Sequence, residues 1–450
     1  MSLRSLFVDL NSFFASVEQA ETPALRGRPV GVVPVLAETT CCIAASTEAK
    51  RHGVKTGTLV REARRLCPDI TIVPARPALY VRYHHGILAA IDRHLPVAQI
   101  GSIDEMACAL IGRERERERA LALARAIKRE IGTVGAGGLT CSVGIAPNDF
   151  LAKTASDMHK PDGLVALEAH ELPEALYGLR LEDFCGIGPA MLVRLNRHGI
   201  RSVEQLCTAP RHLLRHVWGG IEGERFHARL HGEQIDPPAS RRHSIGHSHV
   251  LAPELRSTTG ADAVLKKLVQ KAAMRLRGHD LLAGALYVKV KYLGAEAWEA
   301  AVEFDPCDDT RALLRRLAGL LAMRRDTAPV LAVGVTLGRL IERAQSSGSL
   351  FGASEERDAR ALNGVIDRIN RRYGHNKIYF GGAQDALDAA PMRIAFNRIP
   401  DADHEEEAEK NELWLQRIRQ ARVLAEAAHR AAGERRVADR DRLPRKPAAR

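Results

Sequence analysis

The chain has 450 residues, of which 45% are hydrophobic and 27% charged, and its formal net charge is +11. This length favours several domains, and the composition is that of a soluble globular protein. There is no apolar run long enough to span a bilayer and no signal-peptide layout at the N-terminus, which predicts a cytoplasmic protein without a membrane partner. The eight cysteines include no C-x-x-C pair, so neither a zinc site nor a disulfide framework is predicted. The basic charge favours a polyanionic partner without identifying one.

The first 167 residues alternate between predicted strands and helices. An apolar strand covers residues 3–10, and Asn11 or Ser12 can cap the helix that follows. Such alternation predicts a sheet covered by helices, in the α/β manner. The further strands are predicted at 29–35, 70–73, 99–110 as a strand-turn-strand unit and 139–147, and the further helices at 48–51, 59–66, 80–94, 113–131 and 149–158.

The rest of the chain divides at a polar, proline-containing segment around residues 232–244. Before it, residues 172–232 are predicted to be helical and are basic, and the sequence GIG at 186–188 indicates a turn between helices. After it, the predicted order is βαββαβ, a compact unit with one sheet face left free. Its strands are predicted at 244–251, 283–292, 297–304 and 330–340, and its helices at 261–278 and 310–323.

Three acidic residues follow or end predicted strands of the first region: Asp9, Asp104 and Glu105. Carboxylates are the hard oxygen ligands that magnesium prefers. Two such ions roughly 4 Å apart can activate an attacking oxygen and stabilise the leaving one in phosphoryl transfer. Adjacent residues of a regular strand point to opposite faces, so the Asp104–Glu105 pair requires a bulge or a turn.

Three motifs in order, LFVDLNSFFASVE, SIDEMA and TCSVGIAPNDFLAKTASDMHKPDG, resemble the palm of Y-family translesion DNA polymerases, most closely the bacterial DNA polymerase IV type. The resemblance covers residues 1 to about 340 and implies an α/β and α+β multidomain protein shaped like a right hand. Its parts would be a palm (1–11 and 74–167), small fingers (12–73), a helical thumb with a helix-hairpin-helix (168–233), a linker (234–243), a βαββαβ little finger (244–341) and a C-terminal extension (342–450).

The same resemblance implies roles for the residues at the end of the first strand. Asp9, Asp104 and Glu105, with the Leu10 carbonyl, would bind two Mg²⁺ ions, and the backbone around Asn11 to Phe13 would receive the triphosphate of a deoxynucleotide. Phe14 would be the sugar gate, because a flat ring there leaves no room for a ribose 2′-hydroxyl. Phe13 would be either a nucleotide contact or a core aromatic.

The fingers depart from the family pattern where the triphosphate is held. The usual tyrosine and arginine are replaced by Thr47 and Lys50, and lysine cannot form the bidentate fork of arginine. Lys160 matches a further phosphate-binding lysine of the family. The roof over the nascent base pair would consist of small or slender side chains, which implies low fidelity; these are Cys41, Ile43, Ala44, Ala45 and Gly57.

Two further motifs imply macromolecular partners. Gly186 and Gly188 would present backbone amides to a phosphate of primer–template DNA, a contact without base readout. Leu350 and Phe351, in SGSLF, resemble a degenerate sliding-clamp-binding motif. The chain is expected to act as a monomer.

Three functions remain open at this point. The first is a low-fidelity DNA polymerase that copies damaged templates. The second is a catalytically weak or inactive adaptor of a DNA repair complex, which the changes at Thr47 and Lys50 keep open although all three acids are present. The third is a nucleotide cyclase, which has a palm-like sheet but no need for the GIG hairpin or for a basic βαββαβ unit.

Overall fold

The computed structural model describes residues 2–235, 242–325, 328–346, 353–373, 377–387 and 389. The proposed clamp-binding residues Leu350 and Phe351 and most of the predicted linker lie outside these ranges. Within them, no helix combines the length and apolarity that crossing a bilayer requires.

Strands and helices alternate through the N-terminal region, as the sequence predicts. Most ends fall within three residues of the predicted ones; the fifth helix begins later than predicted, at Arg117, because a 3₁₀ turn covers Gly112–Arg115. In chain order the elements are β1 (Ser5–Leu10), α1 (Phe13–Glu21), β2 (Val30–Val33), β3 (Ala44–Ala45), α2 (Thr47–Arg51), α3 (Val60–Leu66), β4 (Thr71–Pro74), α4 (Pro77–Asp92), β5 (Val97–Ser102), β6 (Glu105–Ala109), α5 (Arg117–Ile131), β7 (Cys141–Ala146), α6 (Asp149–Met158) and β8 (Leu164–Ala166).

These strands form two sheets, so the single sheet expected from the alternation is wrong. The larger has the order β5-β6-β1-β7-β8, with β1 antiparallel to both β6 and β7. The smaller has the order β3-β2-β4 and lies in the range predicted for the fingers. Its short strands share a separate apolar core with α2 and α3, which includes Val33, Ala49 and Ala63. The other face of this sheet packs into the core of the larger one through Val30, Val32 and Val73.

The central strand β1 ends at the candidate site, and α6 packs across β1 and β7 beside it. Asn148 caps α6 by accepting a hydrogen bond from the Leu151 amide at 2.8 Å. The helix approaches β7 so closely that a Cβ on Gly144 would lie 2.0 Å from the Ala152 carbonyl oxygen. A glycine is therefore required there, and the close packing fixes where the polar face of α6 meets the end of β1.

The thumb range is helical, but its hairpins differ from the prediction. Only a three-residue 3₁₀ turn, Leu181–Asp183, precedes Gly186, so the helix-hairpin-helix predicted at GIG lacks a full first helix. A complete one joins the last two helices through Gly219 and Gly220, where Gly223 is needed because a Cβ would lie 2.0 Å from the Leu214 carbonyl oxygen. The thumb helices are α7 (Pro189–Arg197), α8 (Val203–Thr208), α9 (Arg211–Trp218) and α10 (Ile221–Leu230).

The predicted βαββαβ unit is confirmed. Its sheet has the order β11-β10-β12-β9, and α11 and α12 pack on one face. Along β10 the side chains of Val288 and Val290 are buried, while those of Tyr287, Lys289 and Lys291 are exposed on the other face. The elements are β9 (Ile245–Val250), α11 (Thr258–Gly278), β10 (Leu281–Tyr292), β11 (Trp298–Cys307), α12 (Thr310–Ala322), β12 (Val330–Gly338) and β13 (Ile341–Glu342).

Part of the C-terminal extension packs against this unit. The helix α13 (Ala353–Tyr373) turns a polar face inward, where the buried Asp367 carboxylate accepts two hydrogen bonds from Arg277 at 2.7 and 2.8 Å. Asn363 donates to Asp309 at 2.9 Å. The segment that follows also contributes Ala386 and Ala389 to the apolar core of the βαββαβ unit. The described extension is thus joined to that unit by buried ionic and apolar contacts.

Candidate active site

The three acids predicted from sequence meet at one end of the larger sheet. Asp9 and Glu105 are direct partners across the antiparallel β1–β6 pair, so their side chains lie side by side on one face. The Leu10 amide donates to the Asp104 carbonyl oxygen at 2.9 Å. Residues about 95 positions apart in the chain are therefore neighbours in the fold.

The turn required at the Asp104–Glu105 pair is confirmed. Ile103 and Asp104 form it between β5 and β6, and the pairing of these strands shifts register just before it. Burial raises the pKa of the Asp104 carboxyl group, and the nearby charges of Asp9 and Glu105 act in the same direction. A hydrogen bond from the Ser102 hydroxyl acts the other way. This carboxylate therefore needs a cation nearby to remain charged at low energetic cost.

Two lysines supply positive charge to the cluster. Lys153 Nζ contacts the Asp9 carboxylate and lies 2.7 Å from Glu105 Oε1, and Lys160 Nζ lies 2.7 Å from Asp9 Oδ1. Asp157 binds both ammonium groups, at 3.4 and 2.7 Å. Burial alone would lower the pKa of Lys153, but the charges of Asp9 and Asp157 outweigh it and raise that pKa. Both oxygens of Asp9 are thus neutralised by lysine.

The donor chemistry fits a divalent metal ion. In the described ranges, no three acidic, histidine or cysteine side chains already stand in a metal-binding arrangement. Ammonium groups contact both oxygens of Asp9 and one oxygen of Glu105. The carboxylates are the hard ligands suited to magnesium, and cations already favour this position. A metal ion would have to replace lysine contacts.

We expect Lys153→Met to lower the free energy of unfolding in EDTA by about 3 kcal/mol, because Asp9 and Glu105 then face each other without the ammonium group. Added Mg²⁺ should raise the melting temperature more in the variant than in the wild type. Thermal unfolding with and without Mg²⁺ measures both effects, and Lys55→Met at an exposed fingers position is the control. Equal Mg²⁺ shifts in all three proteins would contradict the prediction.

The N-terminus of α1 lies immediately after Asp9 and Leu10. Ser12 is the N-cap residue with φ 50°, but its hydroxyl makes no capping hydrogen bond, and no acid occurs in the first turn. Asn11 is fixed by Ser142, whose hydroxyl donates to it at 3.0 Å, and by the Asp162 amide at 3.1 Å. Uncapped amides at a helix N-terminus suit a phosphate group.

The two phenylalanines of α1 have different environments. Phe13 belongs to the core, so its ring is not a nucleotide contact, although its backbone stays at the helix N-terminus. Phe14 is half-buried and stacks on Tyr80 of α4, with ring centroids 4.4 Å apart and planes 17° apart. The Tyr80 hydroxyl donates to the buried Glu18 at 2.7 Å, and Arg76 also binds Glu18. The ring predicted as the sugar gate is therefore held in place on one face by Tyr80.

The fingers helix α2 brings Lys50 towards the acids. Ser46 caps this helix by accepting from the Ala49 amide at 3.3 Å, with Thr47 half-buried at its start. Partial burial and the charge of Lys160 lower the pKa of Lys50, while Asp9 and Asp104 raise it. Lys50 therefore lies within electrostatic reach of the palm acids.

Gly186 and Gly188 belong to the thumb rather than to this cluster. Gly186 has φ 95°, a conformation that favours glycine, and a Cβ there would face Phe226 at 4.0 Å. Gly188 precedes α7 with an ordinary φ of −85°, so its role does not depend on conformational freedom.

The sequence reasoning missed Lys153, Asp157 and Ser102. Lys153, Asp157 and Lys160 follow each other at spacings of four and three residues; the first two lie on one side of α6, and Lys160 follows just after its end. That periodicity is visible in KTASDMHK and could have identified the two missed members on α6. Ser102 carries no comparable signal.

Comparison with known proteins agrees with this arrangement. Residues 8–157 match the model of the impB/mucB/samB family, and residues 242–350 match its C-terminal domain. The chain is 34% identical to DNA polymerase IV of Moorella thermoacetica over 385 residues, covering 83% of this chain and 94% of the relative. It is 28% identical to DNA polymerase IV 1 of Bacillus subtilis over 402 residues, covering 87% and 95%.

Solved structures give the same result. A Y-family DNA polymerase chimera matches with a TM-score of 0.61 and 25% identity, over 75% of this chain and 99% of the other. An insertion ternary complex of Dbh DNA polymerase matches with a TM-score of 0.50, also at 25% identity and over the same shares. The family match, the relatives and the fold agree, and the chain belongs to the Y family of DNA polymerases, of the DNA polymerase IV type.

Proposed function

We propose that this polymerase is template-directed and of low fidelity, and that it adds deoxynucleotides to a primer, including opposite damaged template bases. The observation that carries the proposal is the pairing of Asp9 with Glu105 beside the Asp104 turn, at one end of the sheet. Membership of the Y family supports the same reaction.

The proposed ligands of two Mg²⁺ ions are the carboxylates of Asp9, Asp104 and Glu105 and the carbonyl of Leu10. Bound there, the ions supply activation of the primer 3′-hydroxyl and charge stabilisation at the leaving pyrophosphate. The chain itself contributes a sheet end that holds the acids together and lysines that balance their charge.

The triphosphate is proposed to lie between the palm and the fingers. The first-turn amides of α1 and the side chains of Thr47, Lys50 and Lys160 are its binding groups. Lys160 contacts Asp9 at present, so its ammonium group is already beside the place where negative charge would arrive.

The Lys50 position gives a test of nucleotide binding. We expect Lys50→Ala to raise the KM for the incoming nucleotide roughly tenfold, because one charge-assisted hydrogen bond to phosphate is lost. Lys50→Arg should lower KM below the wild-type value, since a guanidinium can bind phosphate through two nitrogens. Steady-state primer extension measures both, with Arg51→Ala on the same helix as the control. A KM unchanged in Lys50→Ala would remove Lys50 from the nucleotide site.

Low fidelity follows from the small side chains proposed as the roof of the nascent base pair. Ala44 is half-buried and Ala45 buried in β3, and Gly57 has φ 92° in the loop that follows α2. Cys41 and Ile43 are half-buried. Such side chains leave the base pair little constrained in shape, so distorted pairs are accepted.

The thumb and the βαββαβ unit are proposed to grip primer–template DNA through its phosphates. Gly186 and Gly188 are exposed and are the proposed amide donors, whereas the amides of Gly219 and Gly220 already donate to His216 and Arg215. Exposed Lys289 and Lys291 lie on the free face of the little-finger sheet. Phosphate contacts carry no sequence information, which suits an enzyme that copies any template.

Extension of a primed template by the purified protein in Mg²⁺ tests the proposal, with an undamaged template and one containing an abasic site. Extension of both supports a translesion polymerase. Tight DNA binding without extension would instead support the adaptor, the alternative kept open by Thr47 and Lys50.

A sliding clamp is proposed as a partner of the monomeric enzyme, through Leu350 and Phe351. We expect deletion of residues 347–351 to abolish stimulation of primer extension by the clamp while the basal rate is unchanged, because the acids and lysines of the site are far from it in sequence. Extension with and without clamp measures this, and deletion of five residues from the C-terminus, 446–450, is the control. Full stimulation of the 347–351 deletion would contradict the assignment.

A further inference from the structure

The turn that carries Asp104 is held from three directions. The Leu10 amide donates to the Asp104 carbonyl oxygen at 2.9 Å, and the Ser102 hydroxyl donates to the Asp104 carboxylate. The third contact comes from α4, where Nδ1 of His84 lies 2.7 Å from the carbonyl oxygen of Ile103, the other residue of the turn. A helix that lies outside the sheet is thus connected to the backbone of the proposed metal-binding turn.

The hydrogen-bonding roles of His84 follow from its surroundings. A carbonyl oxygen only accepts, so Nδ1 carries the proton. The ring is 1% exposed, and in the part of the chain that the structure describes its Nε2 has no hydrogen-bond partner. Burial lowers the pKa of His84 to about 4, which keeps the ring neutral. Nδ1 therefore donates to the Ile103 carbonyl oxygen, and Nε2 is buried without a hydrogen bond among the described residues.

An apolar side chain would suit this position better for packing alone. The neighbouring turns of α4 bury Tyr80, Ile87 and Ile91 in the same core. Burying a polar ring in such surroundings costs free energy unless a hydrogen bond offsets the loss of hydration. The hydrogen bond that His84 forms is directed at the turn of a proposed metal ligand.

We propose that His84 is a positioning residue, whose Nδ1–H holds the Ile103 carbonyl so that the turn presents the Asp104 carboxylate to the metal site. The proposal rests on the proposed function of Asp104. Groups behind a metal ligand fix its orientation, and their loss weakens metal binding. A displacement of about 1 Å at a reacting centre can lower the rate roughly 100-fold.

Three variants of the full chain separate positioning from packing. The amide nitrogen of asparagine takes the place of Nδ1, and that of glutamine takes the place of Nε2. We expect His84→Leu and His84→Gln to lower kcat for primer extension roughly 10- to 100-fold without changing the KM for primer–template, while His84→Asn stays close to the wild type. Asparagine leaves a void, so the melting temperature of His84→Asn falls as well, and stability and rate do not change together.

Mn²⁺ binding, followed by electron paramagnetic resonance, is the readout that does not depend on turnover. The proposal expects weaker Mn²⁺ binding in His84→Leu and His84→Gln than in the wild type and His84→Asn, with Asp104→Asn as the reference for a lost ligand. Equal kcat and equal Mn²⁺ affinity in all the His84 proteins would overturn it, and so would a loss in all three that follows their melting temperatures. A wild type that extends no primer would end the proposed function, while the Mn²⁺ comparison would still decide the role of His84.

Discussion

Asp104→Ala is expected to reduce primer extension at least roughly 1000-fold. The carboxylate is one of three that we propose as metal ligands, and a bound metal contributes several kcal/mol to the transition state, where each 1.4 kcal/mol is a factor of ten in rate. Folding should not suffer, because the substitution removes a buried negative charge whose neighbours Asp9 and Glu105 raise its pKa. Single-turnover extension under saturating nucleotide measures the effect.

The control for this experiment is Asp69→Ala, which removes an exposed aspartate before β4. Both variants should bind primer–template with wild-type affinity in a fluorescence anisotropy titration, since neither belongs to the surfaces proposed for DNA. Extension by Asp104→Ala within tenfold of the wild type would remove Asp104 from the chemistry. No extension by the wild type would favour the adaptor instead.

Phe14→Ala is expected to reduce discrimination against ribonucleotides by about 100-fold, the scale on which shape alone excludes a hydroxyl group. The ring of Phe14 is held against Tyr80 by stacking, and Tyr80 is in turn fixed through Glu18 and Arg76. A gate supported in this way cannot rotate aside, so only its removal opens the space. The ratio of kcat/KM for a deoxynucleotide and its ribonucleotide measures the change.

Phe13→Leu is the matched control, because it replaces the neighbouring ring, which lies in the core, by a smaller aliphatic side chain. This variant should lose stability while its sugar preference is unchanged. If Phe13→Leu changed the preference and Phe14→Ala did not, the assignment of the gate would be reversed.

The order and type of most elements could be predicted from the sequence, because apolar periodicity and capping residues act locally. The βαββαβ unit is an example: its alternation of Val288 and Val290 with Lys289 and Lys291 is visible in the chain and in the burial of β10. The division of the strands into two sheets could not be predicted, since the smaller sheet packs one face on α2 and α3 and the other into the core of the larger sheet, and both contacts are distant in sequence. The hairpin between α9 and α10 was missed because the prediction placed the hairpin at Gly186 and Gly188.

The candidate site was predictable to a similar extent. The acids were found because each belongs to a motif, and the structure brings Asp9 and Glu105 into register. The prediction that a turn separates Asp104 from Glu105 followed from strand geometry and is confirmed. The spacing of Lys153 and Asp157 is visible in the sequence, but the contact of Lys153 with Asp9 and the support from His84 were not predictable, because they join elements whose packing the sequence does not reveal.

The docking of α13 also bears on how parts of such polymerases can be exchanged between relatives. A graft that ends after β13 would leave Arg277 without Asp367, in a place where both side chains are about one-tenth exposed or less. It would also uncover the apolar surface that Ala386 and Ala389 now close. A transferred unit therefore has to include α13 and the segment up to at least Ala389 together with the βαββαβ unit.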